Sequence, residues 1–79
     1  MKHDKRLQML AYKLRSVRIT SGLSQHEIAS RLHKPQSYIS RCESGARRID
    51  IFELQEFARV YQKPLTFFVE NPSVVLERK

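Results

Sequence analysis

Between Glu27 and Glu43 the chain carries no acid, and in that window Gln36, Ser37, Ser40 and Arg41 assemble an amide, two hydroxyls and a guanidinium. Groups of this kind read base edges: an amide pairs bidentately with adenine and a guanidinium with guanine. Serines are short enough to let a helix sit close to the bases, and a DNA major groove, about 12 Å wide, accepts one helix. No comparable set exists for catalysis. His26 and Glu27 stand side by side, but no nucleophile or phosphate-cradling glycine loop accompanies them. His3, His26 and His33 share no metal-ligand spacing, and Cys42, the single cysteine, has no partner for a zinc site or an internal disulfide. No catalytic residue, metal or cofactor is expected, and an enzyme is not the reading these residues favour.

A reading helix needs others to hold it, and the apolar spacing supplies them. From Asp4 to Ser21, Leu7, Leu10, Leu14 and Val17 recur at helical steps, with Asp4 as N-cap and Gly22 as the left-handed stop. Ser24 and Glu27 fit a capping box, after which Ile28, Ala29 and Leu32 form the inward face of a short helix. Pro35 forces that helix to stop near His33 and Lys34, and suits the first position of the next, Pro35 to Glu43, with Ile39 and Cys42 inward. Cys42 beside Ile39 reads as a small core residue. Ser44 and Gly45 end this helix. A basic loop, Ala46 to Arg48, leads to Asp50, which caps a fourth helix with Ile51, Leu54, Phe57, Ala58 and Tyr61 as its stripe. Pro64 begins a fifth, shorter piece with Leu65, Phe68 and Val69, ended by Asn71 and Pro72. Val74, Val75 and Leu76 then fit either a short strand or an ordered arm.

The 79 residues suit one all-α domain, 41% hydrophobic and 29% charged, with no apolar run long enough to span a bilayer and charges directly after Met1. A cytoplasmic protein is expected. The net charge of +7 is lopsided: residues 1–48 carry eleven bases and three acids, residues 49–79 four bases and five acids. That asymmetry suggests a polyanion-binding face joined to a separate packing or pairing face.

Over roughly residues 7–69 the sequence resembles the Cro/lambdoid-repressor (Xre) helix-turn-helix family. The elements that hold their spacing are Gly22 to Gln25, Glu27, Ile28 and Ala29, Ile39 and Ser40, Glu43 with Gly45, and Leu54 with Ala58. The resemblance implies a compact five-helix, lambda-repressor-like domain with its motif at about 24–43, helices four and five at about 50–70 and a C-terminal arm at 71–79. It implies base readout by Gln36, Ser37, Ser40 and Arg41. Phosphate contacts fall to Ser24, Gln25, Lys34, Tyr38, Arg47 and Arg48, with Gln25 also bracing a side chain of the reading helix. Arg18 and Glu43 match a structural ion pair. One departure is His33, where the family turn usually carries a glycine with positive φ, at a strain of roughly 1 kcal/mol.

The implied function is that of a bacterial or phage transcriptional regulator, a repressor rather than an activator, binding specific double-stranded DNA and associated through it with the nucleoid. Phe52, Phe57, Tyr61, Phe67 and Phe68 exceed what one small core needs. The excess suggests a homodimer through helices four and five and the arm, placing two reading helices on a near-palindromic operator. The alternative is an antitoxin or adaptor that grips a protein partner and binds DNA for autoregulation. An RNA-binding module ranks below both, because no sheet of paired aromatics is in prospect.

Overall fold

The computed structural model describes residues 5–69. They form α1 (Lys5–Thr20), α2 (Gln25–Leu32), α3 (Gln36–Ser44), α4 (Ile51–Tyr61) and α5 (Leu65–Val69), with no strand among the described residues. The expected all-α, five-helix architecture is thus observed. None of these helices is long and apolar enough to cross a membrane. The Asp4 cap, the Asn71–Pro72 stop and the arm at 71–79 lie outside the described residues.

The core forms where α1, α2, α3 and α4 meet, around the fully buried Leu14, Ile28, Ile39, Cys42 and Phe57. Phe68 of α5 closes it from the side of α1 and α4. Burying one such aliphatic or aromatic side chain stabilises the fold by about 1.5–3 kcal/mol. The expected α1 stripe gains one member and is partly covered at its start. Leu14 and Val17 are buried, but Ala11 takes the third place, while Leu7 and Leu10 are only partly covered. A Cβ on Gly45 would meet the Ala11 Cβ at 3.9 Å, an ordinary van der Waals contact, so α1 passes beside the end of α3. Ile51 also departs from its expected inward place. It occupies the first turn of α4 and is 48% exposed, leaving Leu54, Phe57, Ala58 and Tyr61 as the buried stripe.

Two capping boxes start the helices that flank α3. Ser24 Oγ accepts the Glu27 N–H at 3.0 Å while Glu27 Oε1 accepts the Ser24 N–H at 2.7 Å. Asp50 and Glu53 repeat the exchange at 2.8 and 3.0 Å. Each cap contributes about 1 kcal/mol by satisfying N–H groups that have no partner in the helix. Pro35 sits one position earlier than expected, as the N-cap of α3 with φ −71° and ψ 155°. Its extended backbone turns the chain between α2 and α3.

His33 ends α2 in the left-handed region (φ 58°, ψ 44°), its N–H directed at the Ala29 and Ser30 carbonyls. The turn therefore keeps the geometry that glycine normally serves, and the histidine Cβ bears the strain. His33→Gly should raise stability by about 0.5 kcal/mol, the relief of strain less the larger unfolded-state entropy of glycine. Thermal melting followed by circular dichroism checks this, with a rise of a few degrees as the expected result.

Candidate nucleic-acid interface

Packing on α1 and α2 fixes which side of α3 faces outward. With Ile39 and Cys42 fully buried, the outer face carries Gln36, Ser37, Ser40, Arg41 and Ser44. Ser37, Arg41 and Ser44 are exposed, and Gln36 and Ser40 half-buried. The one acid of the helix, Glu43, is turned inward at 8% exposure. The face is left with hydroxyls, an amide and a guanidinium, and no carboxylate to repel a polyanion. Burial holds the Cys42 thiol above its ordinary pKa, which makes it a poor nucleophile or redox sensor.

Glu43 is held by Arg18, which donates through Nε to Oε2 at 2.7 Å and through Nη2 to Oε1 at 3.0 Å. Arg18 Nη1 also donates to the Leu23 carbonyl at 2.9 Å. One side chain therefore ties the end of α1 to both the end of α3 and the turn before α2. The carboxylate beside it raises the already high pKa of the guanidinium. Gln25, the first residue of α2, donates to Glu43 Oε1 at 3.1 Å, and its own carbonyl accepts from Gln36 Nε2. The Tyr61 hydroxyl is buried in the field of Glu43 and Arg18 without a partner, and burial holds its phenol well above the ordinary range. Spacing gave no sign of the Gln25–Glu43 bond, which joins residues 18 apart.

Two of the residues expected at phosphates also make contacts within the fold. The Tyr38 ring lies parallel to Phe57 with centroids 6.3 Å apart, and its hydroxyl is beside the Cys42 thiol. Tyr38 is therefore a packing platform. The cations rest on its ring, Lys34 Nζ at 5.1 Å and the Arg47 guanidinium at 4.7 Å. Arg47, in turn, is taken up by Glu53: Nη1 donates to Oε1 at 3.0 Å, Nη2 to Oε2 at 2.9 Å, and Nη1 also to the Arg48 carbonyl at 2.8 Å. This fork shapes the loop and leaves the Arg47 side chain 31% exposed, beside the more open Arg48. Asp50 and Glu53 stand at capping-box spacing, a pairing the sequence reading missed, and the second duty of Glu53 depends on the loop's path.

Glu27 and Glu53 are both held below the ordinary carboxylate range. For Glu27 the leading cause is the hydrogen bond from the Ser24 N–H, and for Glu53 that from Arg47. A depressed folded-state pKa means the stabilisation is full above the unfolded value, about 4.3, and is lost as pH falls through the folded one. Melting temperature should therefore hold from neutral pH to about 5 and decline below about 4.5. Glu53→Gln should make that decline shallower. A decline of the same steepness in the variant would count against the pairing.

The model of a helix-turn-helix family matches residues 14–68. Among solved structures, the crystal structure of the DNA-binding domain of BldD aligns with a TM-score of 0.77 and 25% identity, covering 87% of this chain and 99% of that one. The S. venezulae BldD DNA-binding domain aligns with a TM-score of 0.76 and 25% identity, over 84% of this chain and 99% of that one. No curated protein matches the sequence.

Proposed function

Because the chain belongs to the helix-turn-helix family of the Xre/Cro type, we propose that it is a sequence-specific double-stranded DNA-binding protein that regulates transcription. The observation that carries this reading is the outer face of α3, where every hydrogen-bonding side chain is neutral or basic because Glu43 is folded inward onto Arg18. α3 enters the major groove, and Gln36, Ser37, Ser40 and Arg41 meet the base edges. Ser24, Gln25, Lys34 and Arg48 meet phosphates. The Ser24 oxygen accepts its capping bond and keeps a hydroxyl hydrogen to donate. The likeness to DNA-binding domains of BldD supports the same assignment.

Repression through a homodimer on a near-palindromic operator is the form of regulation we propose. Its support is the apolar surface on α4 and α5, where Ile51, Phe52, Phe67 and Val69 are exposed, Phe52 at 72%. Large exposed apolar side chains on so small a protein mark contact surfaces. Two copies would place their α3 helices in successive major grooves, about 34 Å apart along one face of the duplex.

In vitro selection from random duplex DNA at about 0.15 M salt, near physiological screening, tests both levels. A two-fold symmetric motif is the expected result. A single enriched half-site would keep the DNA assignment and remove the dimer. No enrichment from a folded sample would overturn the DNA assignment and favour a protein-partner role for the same exposed apolar residues.

A further inference from the structure

Glu43 is the one buried charged side chain in the described core. Its oxygens receive three donors: Arg18 Nε on Oε2, and Arg18 Nη2 together with Gln25 Nε2 on Oε1. A carboxylate bound to a guanidinium only accepts, so the Gln25 atom that faces it is the amide nitrogen. The Gln25 carbonyl is thereby directed at Gln36, whose amide nitrogen donates to it. Gln36 keeps its carbonyl oxygen and a second N–H to present outward.

Two glutamines alone would not fix this arrangement, because an amide pair hydrogen-bonds equally well with both members reversed. The carboxylate breaks the tie. The consequence reaches the reading face, since reversing an amide exchanges donor and acceptor there. Adenine offers its N6 donor beside its N7 acceptor, so an amide matches that edge one way round. We infer that Glu43 sets the donor–acceptor polarity of Gln36 through Gln25, making a buried residue that touches no DNA a positioning determinant of base preference. The inference rests on the proposed assignment of Gln36 to base reading.

Two variants test it. Glu43→Gln keeps an oxygen for Arg18 but offers Gln25 an N–H, which turns the relay round. Gln25→Ala cuts the relay while leaving the Arg18–Glu43 pair in place, so it decides the matter if Glu43→Gln does not fold. The first readout needs no DNA. In the free protein, the Gln36 side-chain NH2 signals should sit apart from those of a solvated amide, and Gln25→Ala should bring them back. The second is base preference by selection. Gln25→Ala should flatten the same base pair as Gln36→Ala, from a discrimination of roughly 5- to 150-fold towards none, with the base preference at every other position unchanged and overall affinity lowered evenly by the lost phosphate contact. Folded Glu43→Gln should alter the preferred base at that pair alone. Wild-type preference in folded Gln25→Ala, or a general loss of base preference across all positions, would overturn the inference. A wild-type protein that selects no sequence would overturn the DNA assignment and the specificity role together, and the NH2 signals would still show whether the relay exists.

Discussion

Arg18→Ala should destabilise the protein by about 3–5 kcal/mol, the cost of leaving one member of a buried pair uncompensated. The Glu43 side chain is 3% exposed and the Arg18 side chain 12%, so removal of the arginine leaves a carboxylate with little access to water. It also removes the donor to the Leu23 carbonyl and loosens the turn between α1 and α2. A core from fewer than about 80 residues rarely supplies more than about 3–5 kcal/mol in total, so the variant should be largely unfolded at 37 °C. Urea unfolding followed by circular dichroism measures it. The pair itself is not the source of this sensitivity, because two desolvated charges roughly offset their attraction. Arg18→Met combined with Glu43→Leu should therefore recover much of the loss. A double variant as unstable as the single one would show that the bonds to Leu23 and Gln25, rather than the orphaned charge, dominate.

What the sequence made legible follows the range of the interactions. The capping box of Ser24 and Glu27, the left-handed stop at Gly22 and the burial of Ile39 and Cys42 depend on residues within one or two turns, and all appear in the structure. The α1 stripe holds at Leu14 and Val17, with Leu10 packed against the core, and Ala11 joins it. Ala11 keeps the same helical period, four residues after Leu7 and three before Leu14, and is buried beside the end of α3, while Leu7 is half-buried. Ile51 obeys the same period on α4, yet in the first turn it lies beyond the core's edge. The Arg18–Glu43 pair joins residues 25 apart and was reached through family resemblance, not through spacing. Arg47 shows a role that spacing does not reveal. Its place in a basic loop suggested a phosphate contact, and only the path of the chain brings it onto Glu53 and the Tyr38 ring.

The pairing of Arg47 with Glu53 separates the expected effects of the neighbouring cations. Arg41→Ala should cost about 1–3 kcal/mol on the best duplex and almost nothing on the others, relaxing the base preference where Arg41 docks. Arg48→Ala should weaken all sequences about equally and lower the slope of log affinity against log salt by about 1 for each protomer bound, one phosphate contact having gone. The reason is position: Arg41 stands exposed on the outer face of α3, whereas Arg48 projects from the loop that precedes α4. Arg47→Ala belongs with neither. Its fork holds the Arg48 carbonyl and Glu53, so its loss should appear first as a lower melting temperature and a shallower acid decline, with DNA affinity falling only as the loop loosens. Binding titrations at several salt concentrations, on the best duplex and on an unrelated one, separate the three. If Arg41→Ala and Arg48→Ala lose affinity in the same proportion on both duplexes, then α3 positions the protein rather than reads the sequence, and discrimination must come from the shape of the DNA instead.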